Sequence, residues 1–366
     1  MTTAAANKAP SRDVDLSRPK GGREAAWDAF LGRHPFGHHE QSSLYGQLRS
    51  AYGYDSDRVI LKQGGEVVGG AQVMWRSTPI GRIGIVQRGP LSLNDDAGLL
   101  AQVMDQLDGF AREHRISILR VETFAQQHAA REVLVAKGFE SRTDWWGEHL
   151  TSRIEVSGSD QDVLARMKPK GRYNIRLARR LGVEVRTGSR DSLDEFYALY
   201  SMSAAHKGFG MFDRAYFEYL LDVFGPSGRV QQFVAYHDNR PVAALFNTVV
   251  GEHMLYGWGG VDRSDDVRKL MAGYLLHFKA MQWARDHGCR FYDLLGISET
   301  STGGLTRFKT RIAPEHFRWP VTMWKYYGPL ASVRSTATQV AWSMPTLRNL
   351  VIRAGRRLGL HETMPW

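Results

Sequence analysis

Apolar and polar residues alternate in short runs that end at turns, with longer amphipathic runs between some of them. Residues 58–62 and 67–75 flank a Gly-Gly turn and predict a hairpin of two strands. Residues 80–86 predict a third strand. Apolar residues at helical spacing over 97–114 predict a long amphipathic helix, and residues 117–122 predict the strand that follows it. The order is hairpin, further strand, long helix, strand.

The same order recurs in the second half of the chain. Similar hairpin segments start at Gly64 and Asp238. The tetrapeptides that start at Ala111 and Ala284 both end a long helix just before a strand. The two pairs of positions give nearly the same offset, which predicts a duplicated domain. Each copy should form a mixed sheet with helices on its faces, so the predicted fold class is α/β.

Composition limits the class of protein. The chain has 366 residues, of which 43% are hydrophobic and 23% charged, as expected of a soluble globular protein with room for two domains. Its one cysteine, Cys289, excludes an internal disulfide, fits a reducing compartment and begins an apolar strand, so we interpret it as a core residue. We find neither a secretory signal nor an apolar run of about 18 residues, and therefore expect a cytoplasmic protein.

Charge is unevenly distributed along the chain. The net charge is +10, and residues 166–190 hold nine Lys or Arg against the single acid Glu184. A helix predicted over 171–181 places four arginines near one face. Such a segment can neutralise several phosphates of a polyanionic partner, with binding that weakens as salt rises. The candidate phosphate-binding or tRNA-binding side chains are Lys168, Lys170, Arg172, Arg176 and Arg179.

Candidate chemistry concentrates in residues 289–312. A strand that carries Asp293 ends at Gly296, a polar loop follows, and Arg307-Phe308-Lys309 comes next with Arg311 two residues on. An acid on a strand and cations around one aromatic residue can hold an anionic substrate near a reacting carbonyl, although the same pattern also fits a solvated surface loop. Metal binding is not expected, because the only grouped ligands are the adjacent His38-His39-Glu40, a weak signal.

The two ends of the chain differ from its body. Residues 1–23 are rich in Ala, Lys, Arg, Pro and Gly and predict a disordered tail. Residues 347–358 place an apolar stripe opposite four arginines. That pattern suits a helix on an anionic membrane surface and equally a helix docked on the protein's own body.

Three stretches resemble the Fem family (FemABX) of peptidyltransferases, which build peptidoglycan side-chain bridges from aminoacyl-tRNA. They are Arg88-Gly-Pro90, residues 167–176 with 182–185, and residues 292–297 with 305–309. The resemblance implies two GNAT-like domains, each a mixed twisted sheet flanked by helices, with a cleft between them. It divides the chain into a first domain, 24–150 completed by 321–328, a second domain, 151–320, and a basic tail, 329–366.

The family's functional residues carry over unevenly. Phe308 and Lys309 fall on an aromatic–lysine pair beside the reacting groups, and Tyr216 falls on a substrate-binding tyrosine. Gln47 and Phe212 stand where one type of member has a Lys and an Arg that contact substrate phosphates.

Two nearby arginines, Arg49 and Arg214, are candidate replacements for those missing cations, and Arg307 is a further candidate substrate-binding residue. The long helical hairpin that some members insert for tRNA contact is missing, because the sequence leaves no room for it between Gly182 and Asp222.

The implied reaction uses neither a nucleophilic side chain nor a cofactor. A primary amine of a peptidoglycan precursor attacks the ester of an aminoacyl-tRNA. Lys309 would stabilise the oxyanion or the terminal phosphate of the tRNA, and Asp293 would accept the proton of the amine, with Glu299 as the alternative base.

Two other classes of function stay open. An acyl-CoA-dependent N-acyltransferase of the same fold needs a glycine-rich turn before a helix, so that backbone N–H groups can hold the pyrophosphate. This chain has Met271 at the position where that turn requires glycine. A non-enzymatic nucleic-acid-binding protein would explain the basic segment, but no zinc cluster or known binding motif supports it.

Overall fold

The computed structural model describes most of the chain. The described residues are 14–17, 23–78, 81–141, 150–207, 211–297, 303–318 and 321–328, together with Ala331, Val333, Thr336 and Met344. Glu299, the predicted helix 347–358 and most of the predicted tail 1–23 lie outside them.

The strands follow the predicted hairpin pattern in both halves. They are β1 Val14–Ser17, β2 Asp55–Gln63, β3 Glu66–Thr78, β4 Gly81–Val86, β5 Leu91–Ser92, β6 Ile116–Thr123, β7 Glu140–Ser141, β8 Leu150–Glu155, β9 Glu184–Gly188, β10 Val230–His237, β11 Arg240–Val250, β12 His253–Val261, β13 Phe291–Ile297, β14 Glu315–Arg318 and β15 Val321–Tyr326.

The helices pack on the faces of the sheets. They are α1 Ala25–Arg33, α2 Ser43–Ser50, α3 Ala97–Glu113, α4 His128–Ala136, α5 Asp160–Arg166, α6 Pro169–Arg180, α7 Leu193–Lys207, α8 Arg214–Phe224, α9 Asp265–Leu270, α10 Ala272–Asp286 and α11 Gly304–Ile312. None of the helices in the described part of the chain combines the length and hydropathy that a membrane crossing requires.

The strands form two mixed sheets of the same design. The first has the order β1-β2-β3-β4-β6-β15-β7, with β5 beside β3, and the second has the order β14-β8-β13-β12-β11-β10-β9. In each sheet one parallel pair, β4 with β6 or β12 with β13, is linked through a long helix, α3 or α10. The predicted α/β fold class with two copies is therefore confirmed.

The equivalent hairpins have the same turn geometry. Gly64 and Gly65, between β2 and β3, have φ of 60° and 85°, and Asp238 and Asn239, between β10 and β11, have φ of 49° and 58°. Two central residues with positive φ match the twist of the flanking strands, and Gly, Asn and Asp are the residues that tolerate this conformation.

Each sheet also contains a strand that is distant in sequence from the strand it pairs with. β15 pairs antiparallel with β6, from Val321 opposite Thr123 to Tyr326 opposite Ile118. β8, which precedes the helices of the second half, pairs antiparallel with β13. These two strands occupy equivalent places beside the last strand of each parallel pair.

An apolar cluster joins the two sheets. Leu44 and Leu48 of α2 pack in one buried cluster with Phe196, Phe217 and Phe246 of the second half. A second contact involves only backbone: a Cβ on Gly251, at φ 52°, would lie 2.1 Å from Cα of Gly32. The two sheets therefore share buried surface.

Candidate active site

The parallel strands of the second sheet separate and leave a gap. β12 and β13 are in register only for the three pairs from His253 opposite Phe291 to Leu255 opposite Asp293. β12 continues to Val261 and β13 to Ile297 without further pairing to each other. The predicted strand acid Asp293 therefore lies where the gap begins.

A bulge in β13 shapes one wall of this gap. The register with β8 shifts between Asp293 and Gly296, and Leu295 has φ 56°, a conformation uncommon for a residue with a side chain. As a result the Leu295 N–H donates to Asp293 Oδ1 at 2.7 Å, and the carbonyl of Gly296 accepts from Lys309 Nζ at 2.7 Å. The strained backbone thus orients both predicted catalytic residues.

Helix α11 brings Lys309 to the gap. The sequence predicted the cations of this segment but not the helix, and helical spacing turns Lys309 inward while Arg307 stays exposed. Lys309 is 6% exposed. Gly171 of α6 allows α11 to pack closely, because a Cβ there would lie 2.4 Å from the carbonyl oxygen of Arg311.

Phe308 covers the start of α10. Its ring lies edge-on to Tyr274, with centroids 4.7 Å apart, and 3.5 Å from the position of a Cβ on Gly273. Met271, at φ 55°, links α9 directly to α10. An aromatic side chain therefore packs against the first turn of the helix that would hold a pyrophosphate in a CoA-dependent enzyme.

Asp293 has the environment of a base with limited solvent contact. Burial raises the pKa of its carboxyl above the usual value, opposed by hydrogen bonds from Thr151 and Leu295 and by the charges of Arg153 and Lys309. Thr151 Oγ1 and the Leu295 N–H both bond to Oδ1, so Oδ2 has no hydrogen-bond partner among the described residues. That oxygen is available to accept a proton.

A buried polar network beneath Phe308 was missed from the sequence. His277 Nδ1 lies 2.8 Å from the Tyr292 hydroxyl, and that hydroxyl lies 3.3 Å from Asn247 Oδ1. Burial, reinforced by the Lys309 charge, lowers the pKa of His277 to about 3, so its imidazole is neutral at pH 7. A histidine among the apolar residues of α10 was the available signal.

Two predicted substrate-binding residues lie at the junction of the sheets. Tyr216 is 1% exposed and its ring stacks on Phe212 with centroids 4.0 Å apart. Arg49 is buried, with its guanidinium carbon 4.4 Å from the centroid of Tyr54. Tyr52 links the two, since its ring lies 5.4 Å from that of Tyr216 and 6.0 Å from the guanidinium of Arg49.

The other two predicted substrate-binding residues lie at the surface. Arg214 begins α8, where its guanidinium forms an ion pair with Asp194 at 2.6 Å and a second with Glu218. Arg307 is exposed on α11. The structure does not bring these two residues together with Arg49 and Tyr216, and their roles stay predictions.

The predicted phosphate-binding residues divide into two groups. Lys168, Lys170, Arg176 and Arg179 are exposed, on α6 or directly before it. Arg172 instead donates to the carbonyl of Met167 at 2.6 Å, with longer contacts to Leu164 and Ala165, and so caps the end of α5. Arg172 has a structural explanation, whereas the exposed cations remain available to a ligand.

A charged cluster closes the corresponding place in the first sheet. Arg88, at φ 54°, forms ion pairs with Glu40 at 3.0 Å and with Glu122 at 3.1 Å. His38, His39 and Glu40 have ligand atoms within 4.8 Å of one another. A cation there would compete with Arg88 for Glu40, so the arrangement fits an ion-pair network better than a metal site.

Family models match both halves of the chain. The FemAB family model matches residues 23–152, and a model described as an acetyltransferase (GNAT) domain matches residues 165–310. Together they match strands of both sheets, although β1, β14 and β15 lie outside the matched ranges.

Curated relatives and solved structures agree with these matches. Lipid II:glycine glycyltransferase of Staphylococcus haemolyticus is 22% identical over 59% of this chain and 54% of its own length. The Staphylococcus aureus protein of the same name is 23% identical over 62% of this chain and 56% of its own length. The chain thus spans about half the length of these relatives.

Two solved structures share the tandem arrangement. A crystal structure of FemX superposes with a TM-score of 0.76 at 17% identity and covers 86% of this chain and 97% of its own. A tandem GNAT protein from the clavulanic acid biosynthesis pathway superposes with a TM-score of 0.53 at 14% identity, and the match covers 87% of this chain and 99% of that protein. At these identities the likeness concerns the fold.

Proposed function

Because the chain belongs to the Fem family of the GNAT-like superfamily, we propose that it is an aminoacyltransferase that forms peptidoglycan bridges. It transfers an amino acid from aminoacyl-tRNA to a primary amine of a peptidoglycan precursor peptide. The single observation that carries this proposal is the buried Lys309, whose Nζ is fixed by Gly296 in the gap between β12 and β13. The names of the matched relatives, which act on lipid II, support a lipid-linked precursor as the acceptor.

The reaction requires positioning and charge stabilisation rather than a covalent intermediate. The amine nitrogen forms a bond to the ester carbonyl carbon, the C–O bond to the tRNA ribose breaks, and the ribose hydroxyl leaves. Lys309 stabilises the negative charge that develops on the carbonyl oxygen. Because Lys309 lies in a partly desolvated site, its charge acts more strongly there than it would in water.

Asp293 is assigned the proton transfer. The acceptor amine must lose a proton as its nitrogen bonds to the carbonyl carbon, and Asp293 Oδ2 has no hydrogen-bond partner among the described residues. The raised pKa of its carboxyl brings it closer to the range in which a general base works well. The same carboxyl returns the proton to the leaving ribose oxygen.

The exposed cations around α6 are assigned to the tRNA. Lys168, Lys170, Arg176 and Arg179 lie on the surface of the helix that packs against α11, which carries Lys309. A phosphate backbone bound along α6 would therefore pass close to the proposed reaction centre. Contact with the inner face of an anionic membrane, where a lipid-linked acceptor resides, belongs to the same proposal.

The donor is tested by a transfer assay on the purified protein. A muropeptide precursor is mixed with charged tRNA in one reaction and with acetyl-CoA in the other, and products are measured by mass spectrometry. We expect an aminoacyl mass gain that depends on intact charged tRNA, and its size identifies the amino acid. An acetyl gain, or no gain with tRNA, would overturn the proposal; the covering of α10 by Phe308 argues against the acetyl outcome.

A further inference from the structure

An arginine on the same sheet face as Asp293 has no assigned role. Arg153 of β8 is in register with Asp293, and its side chain lies opposite to that of the core residue Ile154. Its guanidinium carbon lies 4.3 Å from the ring centroid of Phe291 and 4.2 Å from that of Phe317. Two aromatic rings thus hold the guanidinium plane in one orientation.

None of the three acids near Arg153, namely Asp293, Glu155 and Glu315, forms an ion pair with it in the described part of the chain. Asp293 is hydrogen-bonded as described above, and Glu155 accepts from Arg290 at 3.1 Å and from Ser157 at 2.9 Å. Throughout the described ranges Arg153 makes no hydrogen bond or ion pair, and its Nε is buried without a partner. A buried cationic donor in this state is costly, which indicates that a ligand supplies the missing acceptor.

Arg153 belongs to a row of side chains that crosses four adjacent strands. Phe317, Arg153, Phe291 and His253 come from β14, β8, β13 and β12, and the His253 ring stacks on Phe291 with centroids 5.5 Å apart. His253 Nε2 lies 3.1 Å from the carbonyl oxygen of His34, at the junction with the first half. Burial lowers the pKa of His253 to about 4, so Arg153 carries the charge of this row at neutral pH.

We propose that Arg153 binds a carboxylate of the acceptor peptide and so holds the acceptor amine beside Asp293 and Lys309. This inference rests on the proposed function. A planar carboxylate matches the two parallel N–H groups of a fixed guanidinium. Asp293 and Glu315, which both act electrostatically on Arg153, would repel a more highly charged phosphate more strongly.

The test measures binding without any donor. Full-length protein is titrated with a synthetic stem peptide of the precursor, first with free carboxylates and then with each carboxylate converted to a carboxamide. For the wild type, one of these conversions should weaken binding about tenfold or more. For Arg153→Met, which keeps an unbranched side chain between the rings, the same conversion should change binding less than twofold.

A neighbouring arginine supplies the matched control. Arg290 lies 5.0 Å from the Phe291 centroid, but its Nε is paired with Glu155. Arg290→Met should therefore distinguish the two peptides as the wild type does. Arg153→Lys keeps the charge but loses the planar fork, and should retain only part of the preference.

Three results would overturn the inference. In the first, wild type and Arg153→Met distinguish the carboxylate peptide from the carboxamide peptide equally well. In the second, the folded wild type binds neither peptide. In the third, Arg153→Met weakens binding only of a nucleotide-linked precursor that carries phosphate. The third result would assign Arg153 to a phosphate. Because no donor is present, failure of aminoacyl transfer and failure of carboxylate binding are separate outcomes.

Discussion

The two parallel strand pairs share one topology but differ where they end. In the first sheet β4 and β6 stay paired to Val86 opposite Val121, whereas β12 and β13 part after Leu255 and Asp293. Beyond the first pair, Arg88 bridges acids and closes the space. The two copies therefore differ, because side chains fill the strand ends of one sheet, whereas the strand ends of the other leave the gap in which we propose that the substrate binds.

The long helices that link the strands of these pairs differ as well. Asp96 caps α3, its carboxylate accepting from the Leu99 N–H at 2.9 Å, and this negative charge opposes anion binding at that terminus. In the second half Phe308 lies over the start of α10. The N-terminus of α3 is therefore capped by a carboxylate, whereas that of α10 has no side-chain cap and packs against an aromatic ring.

Removing the ion pairs of Arg88 in the first half should have the largest effect on stability. Arg88→Met leaves Glu40 and Glu122 without their buried partner, so we expect the free energy of unfolding to fall by about 3–5 kcal/mol in a urea titration. Arg190→Met, which removes the exposed pair with Asp222, should have a much smaller effect. Equal losses from the two variants would contradict a buried network.

Removing the charge of Lys309 at the gap in the second half should abolish most turnover. Lys309→Ala should lower kcat by about 10²–10³-fold, the loss typical when one oxyanion donor is removed, while circular dichroism shows a retained fold. Lys279→Ala, which removes an exposed lysine of α10 that has no assigned role, should affect turnover far less. A near-normal rate for Lys309→Ala would show that the lysine is not part of the reaction.

Charge removal from the two halves should affect tRNA binding differently. Lys170→Ala with Arg176→Ala should reduce the slope of log affinity against log salt by about 1.4–1.8 in a filter-binding assay. The same charge change in the first half, Arg33→Ala with Arg131→Ala at exposed positions, should leave the slope unchanged. If both double variants reduced it alike, binding would depend on overall charge alone.

Each half contains a buried neutral histidine, and both should make the protein less stable in acid. Burial lowers the pKa of His39 and of His277 to about 3, compared with 6.5 when unfolded. Below pH 6.5 the unfolded state binds more protons, so stability falls as pH falls. Between pH 6.5 and 5.5 each histidine should account for about 1 kcal/mol, which His39→Gln or His277→Gln would remove in parallel urea titrations.

Local patterns predicted the repeated elements well. The Gly64 and Asp238 hairpins, the long helices and the strand that carries Asp293 are all found, because each depends on residues close together in the chain. Cys289 is buried, as its apolar context indicated, and burial raises the pKa of its thiol to about 12.

The candidate site was only partly predictable. Lys309 and Phe308 were singled out through a family resemblance and Asp293 through its place on a strand, and the structure places them around one gap. His277 and Arg153 were not singled out, because a buried histidine and a strand arginine become notable only through neighbours distant in sequence. For Tyr216 the residue matched the family pattern, but its burial in an aromatic cluster could not be read from sequence.

Hydrophobic periodicity and turn chemistry were enough to establish an α/β chain with a duplicated unit, since both are encoded over a few residues. Which of the two copies has parted strand ends depended on long-range packing. The positive φ of Leu295, the parting of β12 from β13 and the closure around Arg88 each require contacts between segments far apart in the chain. The free energy of those contacts exists only once both sheets have formed, so tertiary structure alone decided which sheet contains the gap in which we propose that the substrate binds.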